Sequence, residues 1–355
     1  MRMHRLSHLG IFVVVLTIAL SGISGCGSKD PVARGQAEAF DSTVDITLIG
    51  INRNRAAKIT RKLAEEFQLM DLAWRTDGAS PLARMNSLIN TSKEPFAAPT
   101  SLLPILALAK QLSVKSDDLF NPAIGHLVRA WGFQDGATPE CMRPPEPDIV
   151  EQVLNDRPAM DDLHVEGFRA WSENQTVRLD LRDIRRGYAL DQAIARLQEL
   201  GIHSASISID GNIRAIGSRS GNPWSHAIRG PDGGGVFATL AITGSEAAFT
   251  ASGYQNAFTW EGTVYHDIID PRSGYPATGT ASVTVVHPNA STADAAATAL
   301  FVAGPKDWHR LARQLGLRYV MLTDDEGRVH MNPAMKARIK LHRTNREVIV
   351  SEPLS

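Results

Sequence analysis

The sequence predicts an α+β fold, and three observations carry that expectation. Apolar residues recur at helical spacing in several runs, among them Ile59, Leu63, Phe67 and Met70. Other runs alternate with period two, as Thr43–Ile49 and Ala281–Val286 do. The two kinds follow each other without a steady strand–helix–strand rhythm, which argues against a doubly wound parallel sheet. No internal repeat, low-complexity tract or composition break divides the 355 residues, a length that suits one large or two modest domains.

The N-terminal segment reads as an export signal covering 1–25. Arg2 and Arg5 precede the apolar run Leu9–Leu20, which is too short to span a bilayer comfortably, and small residues follow. Ile23-Ser24-Gly25-Cys26 resembles the lipobox of bacterial lipoproteins, which implies cleavage before Cys26 and lipidation of it. Residues 26–39 then form a lipidated tether and 40–355 the folded domain. The expected location is the bacterial cell envelope, lipid-anchored and facing the periplasm; a plain secretory signal is the alternative. With Cys26 lipidated, Cys141 has no intrachain partner, so the fold must rest on its core. The formal net charge of −1, with no basic run interleaved with aromatics, excludes an electrostatic nucleic-acid binder.

The elements follow in order. Thr43–Ile49 is a strand and Arg53–Leu72 a helix. Trp74–Ser80 breaks it, and Pro81–Ile89 starts a second helix. Pro99–Ser113 is a strong amphipathic helix with Thr100 or Ser101 as cap. Asp118–Phe133 is a loop leading into a buried helix, Asp135–Pro147 a Pro-rich loop, and Asp148–Asn155 a helix. His164–Ala170 and Thr176–Leu181 alternate as a hairpin would. Tyr188–Leu200 is an amphipathic helix ended by Gly201. Ala205–Ile209, Phe237–Ile242 and Ala281–Val286 are strands, with glycine-punctuated turns between the first two. Pro305–Leu315 is a helix, and Tyr319–Leu322 and Arg328–Met331 flank an acidic turn.

Two stretches carry the chemistry. His266–Gly274 (HDIIDPRSG) packs polar residues around an apolar pair and closes in a turn. Ser291–Leu300 (STADAAATAL) is Ala-rich and sets Asp294 and Thr298 four residues apart. On a helix those two side chains share a face. A carboxylate with a hydroxyl suits a hard cation such as Mg²⁺. The same run also reads as an ordinary helix start, with Ser291 or Thr292 capping and Asp294 complementing the dipole.

Four stretches form a set: Leu119–Phe133 (LFNPAIGHLVRAWGF), Leu179–Asp191 (LDLRDIRRGYALD), His266–Gly274 and Ala293–Leu300. In that order and spacing they resemble the ApbE family, the FAD:protein FMN transferases. Weaker matches at Asp41–Thr43, Ser80–Asn86, Ile209–Gly217 and Thr250–Tyr254 fall in order too, so the resemblance covers the chain from about Phe40 to Gly304. It implies an ApbE-like (T-fold-like) arrangement of mixed sheets flanked by helices, with a flavin cleft between two halves. It implies cleavage of FAD's pyrophosphate and transfer of FMN to a Thr or Ser hydroxyl of an exported or membrane redox protein, with release of AMP. A Mg²⁺ would be held by Asp294, Thr298 and the backbone carbonyl of Asp183. The flavin side would involve Asp41, Thr76, Leu119, Phe120, Asn121, Asp180, Arg186 and Ile269. His266 and Asp270 would accept protons. The bland readings stand beside these: Arg186 next to Arg185 as a solvated helix start, His266 as a satisfied core residue, Asn121 and Asp180 as turn and cap residues.

The chain also departs from the family pattern. The usual Met-Gly-Thr is Asp41-Ser42-Thr43, the paired Gly-Gly is Asp210-Gly211, Ala251 separates Thr250 from Ser252, and Asp267 follows His266. Bare carboxylates at 41 and 210 would repel a pyrophosphate. Two rival readings follow: a flavin-binding lipoprotein without chemistry, and an FAD pyrophosphatase giving FMN and AMP.

Overall fold

The computed structural model describes residues 30–135, 143–231, 233–254, 256–342 and 345–354. Cys26, Cys141 and the 1–25 segment lie outside the described residues. Among the described residues no helix is long and apolar enough to cross a membrane.

The chain opens with a hairpin of β1 (Val32–Ala39) and β2 (Ser42–Ile49). The stretch expected as the end of a tether is therefore part of the sheet from Val32 onward. Its alternation is hard to see because the inward residues include small ones, Ala37 and Ala39, while Arg34, Gln36 and Glu38 are outward. The two turn residues, Phe40 and Asp41, both take φ of 57°. A left-handed Phe is uncommon. Here its ring is fully buried, stacked on Trp74 at 6.0 Å and edge-on to Phe67, which fixes the turn.

Asn52 caps α1 (Arg53–Trp74) by accepting from the Arg55 amide at 2.9 Å. Ser80 caps α2 (Pro81–Thr91) in the same way, with Pro81 in the first turn, where its missing N–H costs nothing. After the short β3 (Phe96–Ala97), α3 (Leu103–Lys115) starts on Pro104 without a side-chain cap; Thr100 and Ser101 do not serve it. Next come α4 (Gly125–Ala130) and α5 (Pro147–Asp156). The predicted hairpin of 164–181 is displaced. The paired strands are β4 (Leu163–Glu166) and β5 (Arg169–Ser172), and 176–181 runs extended toward α6 (Arg182–Glu199).

Strands β6 (Ala205–Ile209), β7 (Asn212–Ile216), β8 (Trp224–Arg229), β9 (Val236–Ile242), β10 (Glu246–Ser252), β11 (Ala257–Trp260), β12 (Thr263–His266) and β13 (Thr280–His287) follow. Then come α7 (Ala290–Gln314), β14 (Tyr319–Asp324), β15 (Val329–Met331), α8 (Pro333–Lys336), β16 (Ile339–Leu341) and β17 (Val348–Val350). Helix α7 joins the two helical runs expected separately, with a break at Gly304 (φ 73°) before Pro305.

Nine strands make the main sheet in the order β1-β2-β6-β7-β10-β13-β14-β15-β17, antiparallel apart from β15–β17. Its central strands are buried on both faces, and alternate residues divide the core. Val44, Ile46, Phe249, Val283 and Val285 face the layer of α1, α3, α6 and α7. Ile49, Ala248 and Val286 face the small sheet β16-β9-β8. Two-sided burial is why β13 (TASVTVVH) carries no charged residue over Thr280–Val286. A third cluster joins α4 and α5 to the β11–β12 hairpin through Trp131, Phe133, Phe258 and Ile269. This α+β architecture leaves a cleft where the first turns of α6 and α7 meet the β1–β2 turn and the β11–β12 hairpin.

Candidate active site

Helices α6 and α7 touch through their backbones. A Cβ on Gly187 would fall 2.5 Å from the Ala290 carbonyl, so only glycine permits this approach. Asp191 of α6 caps α7 from outside: its oxygens accept from the Ala290 and Ser291 amides (2.9 Å each) and from the Ser291 hydroxyl (2.7 Å). Neither Ser291 nor Thr292 caps the helix, and Asp294 is not a cap residue. Its Oδ2 accepts the Gly187 amide at 2.9 Å, which aims the carboxylate across the junction toward α6.

There it meets Asp183. Burial pushes both carboxyls up to about 7, with the Asp183 charge adding to the rise at Asp294 and the Asp267 and Asp180 charges to that at Asp183. The Asp183 side chain makes no hydrogen bond or ion pair among the described residues. Asp183 and the buried Thr298 line a recess of about 20 Å³, room for one ion or water. Its other walls include Leu119, Phe120, Asn121, Asp180 and Ile269. Sequence positions far apart are thus brought to one spot. Among the described residues no group of three or more His, Cys, Asp or Glu forms a metal cage. A cation here would be held by the Asp294 carboxylate, the Thr298 hydroxyl and the Asp183 backbone carbonyl, with the Asp183 carboxyl close by, and would complete its shell from water or a ligand phosphate, which suits Mg²⁺.

The recess opens, past Arg182, Asp183 and Asp267, into a cleft of about 740 Å³, the size of a nucleotide-scale ligand site. Arginines and aspartates alternate around it. Arg186 donates to Asp210 (3.1 Å) and to the Phe40 carbonyl (3.2 Å). Arg75 holds Asp77 bidentately and approaches Asp41 at 3.5 Å. Arg182 pairs with Asp180 (3.1 Å) and Asp267 (3.5 Å). Arg185 is 3.1 Å from Asp135 and 3.7 Å from Asp41. Arg229 lines the cleft without an ion-pair partner among the described residues. The two departures at 41 and 210 therefore carry arginine partners and are not bare charges.

Several expected contacts sit differently. Asn121 makes a turn, accepting from the Ala123 amide and donating to the Pro158 carbonyl, while still lining the recess. Asp180 accepts from the Arg182 amide at the start of α6, as a cap residue does, and also lines the recess. Thr76 is absent from the cleft lining. It is buried, and its amide (2.7 Å) and hydroxyl (3.0 Å) both donate to Asp135. Asp270, expected as a proton acceptor, closes its own turn, accepting from the Arg272 amide and holding the Arg272 guanidinium at 2.7 Å. His266 stands beside Asp267, against Gly253 and edge-on to Phe301. Its Nε2 is 2.9 Å from the Ala277 carbonyl, an acceptor only, so Nε2 carries the proton and Nδ1 the lone pair, 3.3 Å from the Ile268 amide. Burial lowers its pKa, which keeps the ring neutral near pH 7.

Sequence reasoning missed Arg75, Arg182, Arg185, Asp135 and Asp267. Asp267 was visible only as an acid replacing an apolar residue, and the arginines only as a local density of charge.

An arginine-lined cleft on this α+β fold presents the donors that a phosphorylated ligand engages. The chain is a member of the ApbE family, whose model matches residues 40–321. It is 34% identical over 301 residues to the FAD:protein FMN transferase of Rhodobacter capsulatus, covering 85% of this chain and 57% of that longer protein. To the FAD:protein FMN transferase of Treponema pallidum it is 31% identical, covering 82% and 84% of the two chains. The crystal structure of the ApbE protein of Thermotoga maritima shares the fold at a TM-score of 0.79 with 24% identity, covering 87% of this chain and 99% of that one. The apo flavinyl transferase ApbE of Pseudomonas stutzeri does so at 0.75 with 25% identity, over 87% and 97%.

Proposed function

We propose that this protein transfers FMN from FAD to a Ser or Thr hydroxyl of an exported or membrane redox protein and releases AMP. The observation that carries the reading is the Asp183–Asp294 pair, whose carboxyls burial holds up at about 7 despite Arg182 and Arg186 nearby, at the foot of an arginine-lined cleft. Its relatives' names, FAD:protein FMN transferase, point the same way.

Mg²⁺ would be held by Asp294, Thr298 and the Asp183 carbonyl, and when bound it supplies charge neutralisation at a phosphoryl oxygen. The other steps belong to side chains. Arg186 and Arg229 offer the guanidiniums that a pyrophosphate can engage, Arg186 by exchanging Asp210 for phosphate. His266 Nδ1, its tautomer set by the Ala277 carbonyl, exchanges the Ile268 amide it accepts from for the acceptor hydroxyl and takes its proton. That oxygen bonds to the phosphorus on the flavin side, the pyrophosphate bridge breaks, and AMP carries away the bridging oxygen. Leu119, Phe120 and Ile269 give the recess its apolar wall and limit water. The lipobox-like Ser24-Gly25-Cys26 supports anchoring of Cys26 in the cell envelope, facing the periplasm.

The test is incubation of the full chain with FAD, MgCl₂ and candidate acceptor proteins. Expected products are AMP and an acceptor heavier by one FMN residue. Free FMN without an acceptor would make it a pyrophosphatase. Absence of AMP under all conditions would end the enzymatic reading.

A further inference from the structure

Asp135 is the most deeply engaged acid of the cleft, and no motif pointed to it. Its side chain is 2% exposed. One oxygen accepts both the amide (2.7 Å) and the hydroxyl (3.0 Å) of Thr76. The other lies 3.1 Å from Nη1 of Arg185, itself 4% exposed. The opposite amino group of Arg185 is 3.7 Å from Asp41, and the guanidinium lies 6.0 Å from the Phe40 ring. Two segments remote in sequence thus converge on one carboxylate, the loop after α1 and the opening of α6, and the β1–β2 turn joins them through Arg185.

We propose that Asp135 is the positioning residue of the nucleotide cleft, holding Thr76 and Arg185 so that the wall formed by Arg75, Asp41 and Arg186 stays in register for the FAD phosphates. This rests on the flavin-nucleotide reading above.

Among the described residues neither Nε nor Nη1 of Arg185 has a hydrogen-bond acceptor, so Asp135 holds Nη1 as a charge pair at 3.1 Å and not through a hydrogen bond. Without Asp135 its remaining counter-charge is Asp41, whose side chain is 64% exposed. A buried guanidinium left short of partners moves toward the nearest anion. Here that means toward Asp41, the residue that Arg75 also approaches, so both arginines and the turn between them shift. The Thr76 amide, adjacent to Arg75, loses its acceptor in the same step. The proton acceptor His266 and the carboxylate Asp294 stand on β12 and α7, outside this cluster. The consequence falls on binding and leaves the chemical step alone.

Asp135→Ala and Asp135→Asn in the full chain separate this from a general structural role. FAD affinity is read by quenching of flavin fluorescence, turnover by AMP release, and local geometry by hydrogen exchange at the Thr76 amide. Asp135→Ala is expected to weaken FAD binding and raise KM for FAD about tenfold, with kcat at saturating FAD within about twofold. Exchange at Thr76 should accelerate. Asp135→Asn keeps an oxygen for the Thr76 amide and loses the charge facing Arg185, so it should restore slow exchange and part of the affinity. If Asp135→Ala does not fold, Asp135→Asn decides: native FAD affinity in it overturns the proposal. A folded Asp135→Ala variant with native affinity, or one that loses kcat at unchanged affinity, overturns it as well. Failure of the unaltered protein to bind FAD is a different result and removes the flavin reading itself.

Discussion

The α6–α7 junction and the 266–274 turn are the two regions in which the sequence concentrates its polar chemistry, and they use it in opposite ways. At the junction, burial holds the carboxyls of Asp294 and Asp183 well above the ordinary carboxylate range, although Arg182 and Arg186 stand near them. In the turn, Asp270 spends both oxygens on Arg272 two residues away. A carboxylate satisfied by its own loop is scaffolding. One held by the fold in an unfavourable state is poised for something the fold lacks. The helical period fixes which face Asp294 and Thr298 share, so spacing alone could find them. Nothing in HDIIDPRSG distinguishes the acid that closes the turn from Asp267, the one that lines the cleft.

The sharpest way to break this contrast is Asp294→Ala. It removes the carboxylate proposed to hold the cation and the acceptor of the Gly187 amide. AMP release should fall by about 10²–10³-fold, the scale for loss of a group that stabilises developing charge. Raising MgCl₂ should recover part of it. Turnover at native rates would remove the metal from this site.

The second test uses pH. Asp183 and Asp294 titrate near 7 in the fold and at the ordinary 3.8 when unfolded. Between those values the native state binds more protons, so their contribution to stability falls as pH rises from about 4 to 7. Asp183→Asn escapes this. In chelator, its melting temperature relative to the unaltered protein should be level near pH 4 and rise toward pH 7. The gain there should be about 2 kcal/mol, below the full 1.4 kcal/mol per pKa unit because solvent reaches these half-buried groups. Saturating Mg²⁺ should erase the difference, and Mg²⁺ affinity of the unaltered protein should weaken as pH drops below 7. A difference independent of pH and metal would show that the pair is not strained.

How far the sequence revealed these features depends on whether their cause is local. The helices, the two-faced Val strands and the 294/298 face follow from periods of 3.6 and 2, and they stand where expected. Strand β1 was hidden because its inward positions include alanine, and β8 because the glycines around it read as loop. Arg185 resembled a solvated neighbour of Arg186. Its burial depends on Asp135, fifty positions away, and no spacing rule connects them. The acids at 41 and 210 looked hostile to a pyrophosphate for the same reason, since their arginine partners arrive from other elements.

Asp210→Asn sharpens that last point with a smaller effect. The carboxylate competes with phosphate for Arg186. Removing its charge should free the guanidinium and tighten FAD binding about threefold to tenfold, within the range for a partly exposed ion pair. The gain should shrink with added salt. Weaker binding would mean that Asp210 aligns Arg186 for the nucleotide and does not compete with it.

The smallest effect belongs to Asp270→Asn. The asparagine oxygen can still accept the Arg272 amide, so the turn keeps its shape, while the ion pair to an exposed guanidinium is lost. Such pairs contribute about 0–1 kcal/mol, so the melting temperature should drop by only a few degrees. AMP release should stay within about twofold, because neither oxygen is free to take a proton from an acceptor hydroxyl. His266→Gln, one turn away, should instead lower kcat strongly at unchanged FAD affinity, since the neutral Nδ1 lone pair is what it removes. If the two variants lost turnover equally, the division between a carboxylate that closes a turn and an imidazole that serves the reaction would fail, and the whole 266–270 segment would have to be read as one proton-handling unit.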